Sequence, residues 1–473
     1  PVYAQSGKAG LSTWEFCNWT KDALDKSKVR GFAEPLPSAI REQYDLVSRD
    51  NAYSSIHNPK NLGEMLTARK RLVFDELLRI QLLLLARKRQ LELATQGISH
   101  DFSGDLVNKL IESLPFEPTN AQSKAIAEIF QDLRASYPMH RLLQGDVGSG
   151  KTLVAIAALL SVVEAGKQGS IMAPTEVLAE QHFVSAKELL GSFILMDSTN
   201  LLGKRKLNIS LLTSQTSEKD AKEIRAKLRR GEIDIIVGTH SLIQESVEFA
   251  DIGLAVVDEQ HRFGVDQRAA LRNKGNSAAI PDLLVMTATP IPRTAAMTVY
   301  GDLDVSILNE LPEGRIPVET RRVADTPELW KEVKAQILEG RQVFIVCPLI
   351  DESENIDTTS AEATYHRLKD AELREMSVGL LHGRMHPSEK QNVMDSFRNG
   401  ELNALVSTTV IEVGVNIPNA TAMVILGAER FGIAQLHQLR GRVGRGSFQS
   451  ICYLVSNSET SETDARLQAL VDS

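Results

Sequence analysis

The stretch Gly145-Asp-Val-Gly-Ser-Gly-Lys-Thr152 decides the fold. It fits the pattern G-x-x-x-x-G-K-[ST], follows an apolar run at Leu142-Gln144 and opens a helix-forming stretch rich in Ala and Leu. Gly145, Gly148 and Gly150 let backbone N–H groups turn inward around phosphate oxygens, with Asp146, Val147 and Ser149 completing the loop, and the following helix N-terminus adds positive potential. Lys151 is spaced to reach the β- and γ-phosphates, and the Thr152 hydroxyl to bind Mg2+. The expected ligand is therefore ATP with magnesium, held on a strand–turn–helix unit.

Downstream, Leu254-Ala-Val-Val-Asp-Glu-Gln-His261 reads as an apolar strand ending in two carboxylates, 258 − 151 = 107 residues after the lysine. The carboxyl ends of strands are where open α/β sheets bind ligands. Asp258 suits a magnesium partner, and Glu259 the base that orients an attacking water. An acidic pair at a strand end also serves as a helix cap; the nearby phosphate loop favours the catalytic reading.

From residue 115 onward, short Val/Ile/Leu-rich runs alternate with helical stretches, the pattern of parallel strands buried under helices. A first series runs through Leu142-Gln144, Ser170-Ala173, Ile209-Leu212, Ile233-Val237, Leu254-Val257 and Leu283-Met286. A second follows Leu311-Pro-Glu-Gly314, with runs at Val343-Val346, Val378-Leu381, Ala404-Ser407, Ala422-Leu426 and Ile451-Val455. The division read from this is a mainly helical segment over 1–112, a first α/β lobe over 113–314 and a second over 315–473. Within the helical segment one long helix is expected over 62–93, carrying Ala-Arg-Lys-Arg at 68–71 and again at 86–89. Eighteen residues is five helical turns, so both copies share an azimuth about 27 Å apart. They form either a ladder for phosphates or the solvated basic side of a packing helix.

The chain has 473 residues, enough for two to four domains. Its 42% apolar, 24% charged and 5% aromatic content is that of a globular protein, not a disordered or collagen-like chain. The longest strongly apolar run, Ile80 to Ala86, is far short of the roughly 20 residues that span a bilayer, so no membrane helix is expected. Cys17, Cys347 and Cys452 are odd in number and widely separated, against a disulfide framework or a four-ligand zinc site and in favour of a reducing, cytoplasmic compartment. Charge sums to 53 − 61 = −8, so a nucleic-acid partner must be held by local basic groups. A chain opening on Pro1 with no charged-then-apolar leader is read as an unsecreted fragment.

These motifs, with Thr287-Ala-Thr-Pro290 and Gln438-Leu-Arg-Gly-Arg-Val-Gly-Arg445, resemble the ordered motif series of superfamily 2 helicases. The finer wording is similar to the RecG family of branch-migrating DNA helicases: GDVGSGKT, APTEVLAEQH (173–182), DEQHRFGV (258–265), TATPIPRT (287–294), LLHGRM (380–385) and QLHQLRGRVGRG (435–446). The match runs along nearly the whole chain. The transcription-repair coupling factor, the nearest rival, would carry Tyr at Ser149 and Glu at Gln260, and PriA-type helicases differ more in the phosphate loop. The resemblance implies two tandem RecA-like domains with parallel sheets and an ATP-dependent double-stranded DNA translocase that remodels forks and recombination junctions. It further implies branched DNA as partner, single-strand DNA-binding protein as an associated one, and a monomer. An oligonucleotide-binding wedge domain would precede the segment resembling residues 1–110, and a further C-terminal segment would follow.

Residue by residue, the resemblance makes Arg442 and Arg445 the arginine fingers of the second lobe, with Gln438 beside them. Fixed guanidinium forks suit charge spread over phosphoryl oxygens, although a Gly-Arg loop could also hold DNA phosphates. Gln122, behind Pro115-Phe-Glu-Pro-Thr119, resembles the glutamine that reads adenine, with Phe116 as stacking platform; capping the helix that starts near Asn120 is the alternative. Thr287 and Thr289 match the motif coupling hydrolysis to lobe movement. Thr175, Thr239, His382 and Thr408 fall where the family touches the nucleic-acid backbone, and small hydroxyls hold phosphates without reading bases. Gly414-Val-Asn416 stands where Gly-Val-Asp is expected near the nucleotide; Asn keeps an acceptor and loses the charge. The rivals to this reading are a repair-coupling translocase and an ATP-dependent DNA clamp without turnover.

Overall fold

The computed structural model describes Tyr3 and residues 11–27, 30–196, 203–244, 246–258, 279–288, 303–310, 317–348, 356–408, 417–444, 446, 448–456 and 461–472. By contact density the chain separates into Pro1–Leu91 with Arg293–Asp302, and Glu92–Pro292 with Leu303–Ser473.

The first unit is helical: α1 (Thr13–Ser27), α2 (Ser38–Gln43), α3 (Arg49–His57) and the long α4 (Leu62–Ala94). Its organising contact is Arg71 on α4, whose side chain is wholly buried. The guanidinium donates to both oxygens of Glu34 (2.6 and 3.1 Å), to the Val47 carbonyl (2.8 Å) and to Asp75 (3.0 Å). Those bonds engage four of the guanidinium's five N–H groups and hold Glu34 down at about 2. The first Ala-Arg-Lys-Arg copy is thus in part an internal anchor, which neither sequence reading foresaw.

The second unit holds two parallel sheets. The first has strand order β5-β6-β2-β7-β8-β1-β9, with β1 at His140–Gly145, β2 at Gln168–Met172, β5 at Ile209–Leu212, β6 at Ile235–Gly238, β7 at Ile252–Asp258, β8 at Asp282–Thr287 and β9 at Asp304–Leu308. A small antiparallel pair, β3 (Ile194–Met196) and β4 (Lys204–Lys206), stands apart. The second sheet runs β10-β15-β14-β11-β13-β12, from β10 (Glu319–Val323) through β15 (Ile451–Val455), β14 (Ala420–Leu426), β11 (Gln342–Val346) and β13 (Ala404–Ser407) to β12 (Val378–Leu381). Central strands are buried on both faces, as the continuous apolar runs require; every residue of β7 and β8 is buried. Alternate residues of β11 face two separate cores, Phe344 and Val346 on one side and Val343 and Ile345 on the other.

Every strand-like run in the sequence is a strand here; β3, β4, β9 and β10 are additional. Residues 97–112, which the sequence reading assigned to the helical segment, pack on the first lobe: Phe102, Leu106, Val107 and Leu110 enter its core. The carboxylate of Glu164, at the end of α7 (Lys151–Glu164), accepts from the backbone N–H groups of Ser103, Gly104, Asp105 and Leu106 (3.1–3.3 Å). It caps α5 (Asp105–Ser113) from another helix, a negative charge at a positive helix end. Gly104 itself has φ +91° and offers no capping side chain. The stretch Leu311-Pro-Glu-Gly314 between the two strand series lies outside the described residues. Among the described residues no helix is long and apolar enough to cross a membrane. The three cysteines are free, and burial pushes the thiols of Cys347 to about 11 and Cys452 to about 12.

Candidate nucleotide site

Strand register brings the motifs together. Gln144 of β1 pairs with Thr287 of β8, and Met286 pairs with Asp258 of β7. Gly145, Thr287 and Asp258 therefore stand abreast at the carboxyl ends of three neighbouring strands, Asp258 about 10 Å from the start of the loop at about 4.8 Å per strand. The candidate nucleic-acid contacts follow the same edges: Thr175 after β2, Thr239 after β6, His382 after β12 and Thr408 after β13.

The loop itself needs its glycines. Gly148 and Gly150 have φ of +83° and +84°, backbone that side chains rarely adopt. A Cβ at Gly150 would also collide with the Gln122 side chain. Lys151 folds over the loop, its Nζ donating to the carbonyls of Gly145 (2.7 Å) and Asp146 (2.8 Å). Thr152 follows in the first turn of α7. Ser149 is buried, and its Oγ has no hydrogen-bond partner among the described residues.

Gln122 is 1% exposed and engaged at both ends. Its Oε1 accepts from the Thr119 N–H (2.9 Å) while Thr119 Oγ1 accepts from the Gln122 N–H (3.2 Å), a reciprocal capping box on α6 (Asn120–Leu133). Its Nε2 donates to the Ser149 carbonyl (2.9 Å). The amide thus caps α6, the alternative the sequence left open, and ties that helix to the phosphate loop. Phe116, 45% exposed, remains an accessible ring.

Asp258 is 8% exposed, and its Oδ2 lies 2.7 Å from Nε2 of His182 on α8 (Glu176–Leu190). Thr175 caps α8, accepting from the Leu178 N–H. Thr239, Thr287 and Thr408 are buried, and His382 lies 3.8 Å from Glu362. Glu259, Thr289, Gly414, Asn416 and Arg445 lie outside the described residues.

The second lobe meets this site through the helix Ile433–Arg440, which carries Gln438, and the turn after it. A Cβ on Gly441 would lie 2.8 Å from Val147 Cβ and 2.9 Å from its Cγ2, so the two segments are in direct contact across the lobes. Arg442 is 7% exposed and follows Gly441 directly. His437 on the same helix feels the charge of Asp146; burial and Arg440 nonetheless lower its pKa. Val177 of α8 packs against the core of the second lobe.

Sequence reasoning missed the His182–Asp258 contact, the Gln122–Ser149 brace and the Gly441–Val147 approach, since each joins residues far apart in the chain. The only sequence signal was a histidine on the stripe Ala179, His182, Ala186, Leu190, otherwise apolar.

Comparison with known proteins agrees with this geometry. The DEAD/DEAH box helicase family pattern matches residues 119–298, and the helicase conserved C-terminal domain matches 327–447. The ATP-dependent DNA helicase RecG of Synechocystis is 46% identical over 450 residues, covering 95% of this chain and 52% of that protein. The Streptococcus pneumoniae RecG is 43% identical over 474 residues, covering 100% of this chain and 68% of its own length. A structure of RecG bound to a three-way DNA junction superposes with a TM-score of 0.74 at 40% identity, covering 100% of this chain and 60% of that one. The chain thus spans between about half and two thirds of these relatives, and it belongs to the RecG family of superfamily 2 helicases, with two tandem helicase lobes behind an N-terminal helical segment.

Proposed function

We propose that the chain is the ATP-driven motor of a helicase that remodels branched double-stranded DNA at stalled forks and recombination junctions. The observation that carries this is the meeting of the phosphate loop with the Gly441-Arg442 turn of the other lobe, because it puts a guanidinium-bearing segment against the loop that cradles phosphates. In this reading residues 145–152 hold the β- and γ-phosphates, Lys151 turning from its loop carbonyls to reach them. Phe116 offers a ring for the base and Gln122 keeps the loop in shape. Arg442 and Arg445 supply positive charge to the oxygens that gain charge during transfer, with the neutral Gln438 amide as a hydrogen-bonding group beside them. Glu259 orients the attacking water. Gly414 and Asn416 line the nucleotide, with Asn416 as an acceptor.

The donor set fits magnesium: a hydroxyl at Thr152 and a carboxylate at Asp258 are hard oxygen ligands, and such sites usually keep several waters besides. When bound, the ion would neutralise charge shared between phosphate oxygens.

Thr175, Thr239, His382 and Thr408 grip the DNA backbone from the two lobes, and Thr287 and Thr289 link hydrolysis to lobe movement. Alternating grip then advances the protein along one strand. The junction-bound relative supports branched DNA as the substrate. The motor acts as a cytoplasmic monomer, with single-strand DNA-binding protein as an associated partner. Its parts are the helical segment over 1–112, whose end packs on the first lobe, the first lobe over 113–314 and the second over 315–473.

The test is the ATPase rate with no DNA, linear duplex and a model fork. DNA should stimulate hydrolysis, and Glu259→Gln should lower it by about two orders of magnitude or more. A rate independent of DNA, or unchanged in Glu259→Gln, would reject the reading.

A further inference from the structure

We infer that His182 is a positioning residue for the magnesium-holding carboxylate, fixing Asp258 from behind; this rests on the reading of Asp258 given above. His182 lies on the buried stripe of α8, in line with Ala179, Ala186 and Leu190, a face that otherwise presents only apolar groups. A ring nitrogen buried there needs a partner, and Asp258 Oδ2 at 2.7 Å supplies it. An ionised carboxylate only accepts hydrogen bonds, so Nε2 carries the proton and donates. Both side chains are about nine-tenths buried, with side-chain exposures of 9% and 12%.

The geometric consequence is specific. A carboxylate at a strand end rotates about its terminal torsion, which is broad and soft. The hydrogen bond to Oδ2 restrains that rotation and so helps set where the other oxygen points. The donor comes from α8, a rigid element packed on β2, β5 and β6, so the direction is set by the sheet rather than by a loop. Outer partners of this kind raise metal affinity about 10- to 100-fold in other sites by orienting the ligand. Nothing else in the motor reading gives His182 a task, although it ends the run at 173–182 that carries the family resemblance.

The experiment is an equilibrium titration of the intact chain with a fluorescent ATP analogue, first in chelator and then with increasing Mg2+, for wild type, His182→Ala, His182→Gln and Asp258→Asn. Thermal melting is recorded in parallel. In chelator His182→Ala and His182→Gln should bind nucleotide within about twofold of wild type. His182→Ala should need about tenfold more Mg2+ for half-maximal tightening. His182→Gln, which keeps an N–H donor, should recover to within about threefold of wild type. A role confined to packing would shift the melting temperature and leave the Mg2+ midpoint in place. The inference is overturned if His182→Ala titrates like wild type, or if His182→Gln is as weak as His182→Ala, while Asp258→Asn raises the Mg2+ requirement. If Asp258→Asn titrates like wild type, the metal assignment of Asp258 fails, and this inference with it.

Discussion

Gly441→Ala isolates the contact between the lobes from everything else at the site. Gly441 has φ −69°, a value alanine adopts freely, so the substitution adds no backbone strain. The whole effect comes from one methyl group placed 2.8 Å from Val147 Cβ and 2.9 Å from Cγ2. Carbon pairs settle at about 3.5–4.0 Å, so the turn and the phosphate loop must separate by roughly 0.6–1.2 Å. Overpacking of this size costs about 1–3 kcal/mol. In the proposed motor cycle that cost falls on the closed arrangement, in which the turn meets the loop. At about 1.4 kcal/mol per tenfold, the closed population and the turnover rate fall by about 5- to 150-fold. Nucleotide binding to the first lobe should change less than about threefold. The assay pairs steady-state ATP hydrolysis on saturating duplex DNA with equilibrium binding of a fluorescent nucleotide. Adding Val147→Gly removes both colliding carbons and should return part of the lost rate, a coupling that a double-mutant cycle reads directly. The reasoning is refuted if Gly441→Ala turns over at the wild-type rate, or if nucleotide affinity falls as far as the rate does.

Other consequences follow from single contacts. Gln122→Ala leaves the Ser149 carbonyl and the Thr119 N–H without their side-chain partner, and should lower stability by about 2–4 kcal/mol while weakening nucleotide binding; melting and titration check both. Glu164→Gln keeps the shape but removes the charge at the α5 N-terminus, costing about 1 kcal/mol, and faster amide exchange at Leu106–Leu110 would report it. Burial raises the carboxyl of Asp282 from 3.8 to about 6, against the opposing pull of His100 and the Met139 N–H. Its folded pKa lies above its unfolded one, so the stability it contributes is present below about pH 4 and is lost as pH rises through 6. Over that window wild type should lose about 3 kcal/mol relative to Asp282→Asn in denaturant midpoints, and parallel pH profiles would contradict it.

What the sequence disclosed and what it hid divide along a physical line. A phosphate loop is contiguous, and its glycines, lysine and threonine do their work within eight residues, so it was readable. The buried strands were readable because both faces are covered and the runs are unbroken. Strand β10, Glu-Thr-Arg-Arg-Val, escaped because it lies at the sheet edge, pairing only with β15, and buries only Thr320. Strand β9 escaped for a similar reason, its apolar residues being interrupted by Ser306, which accepts from Arg141. Arg71 was read as part of a basic surface because its partners Glu34 and Val47 lie 37 and 24 residues away. The packing of residues 97–112 on the first lobe was not legible, since nothing local there signals that Glu164, about 60 residues on, caps α5. At the site the residue types were legible, whereas the braces on them, His182 and Gln122, are products of tertiary packing.

The central claim, that the second lobe supplies the positive charge for splitting ATP held by the first, is tested most directly by Arg442→Ala. Turnover should fall by about 10³-fold or more on saturating DNA with nucleotide affinity retained, since the guanidinium acts on charge that develops only during transfer. A variant that hydrolyses ATP at the wild-type rate would contradict the account.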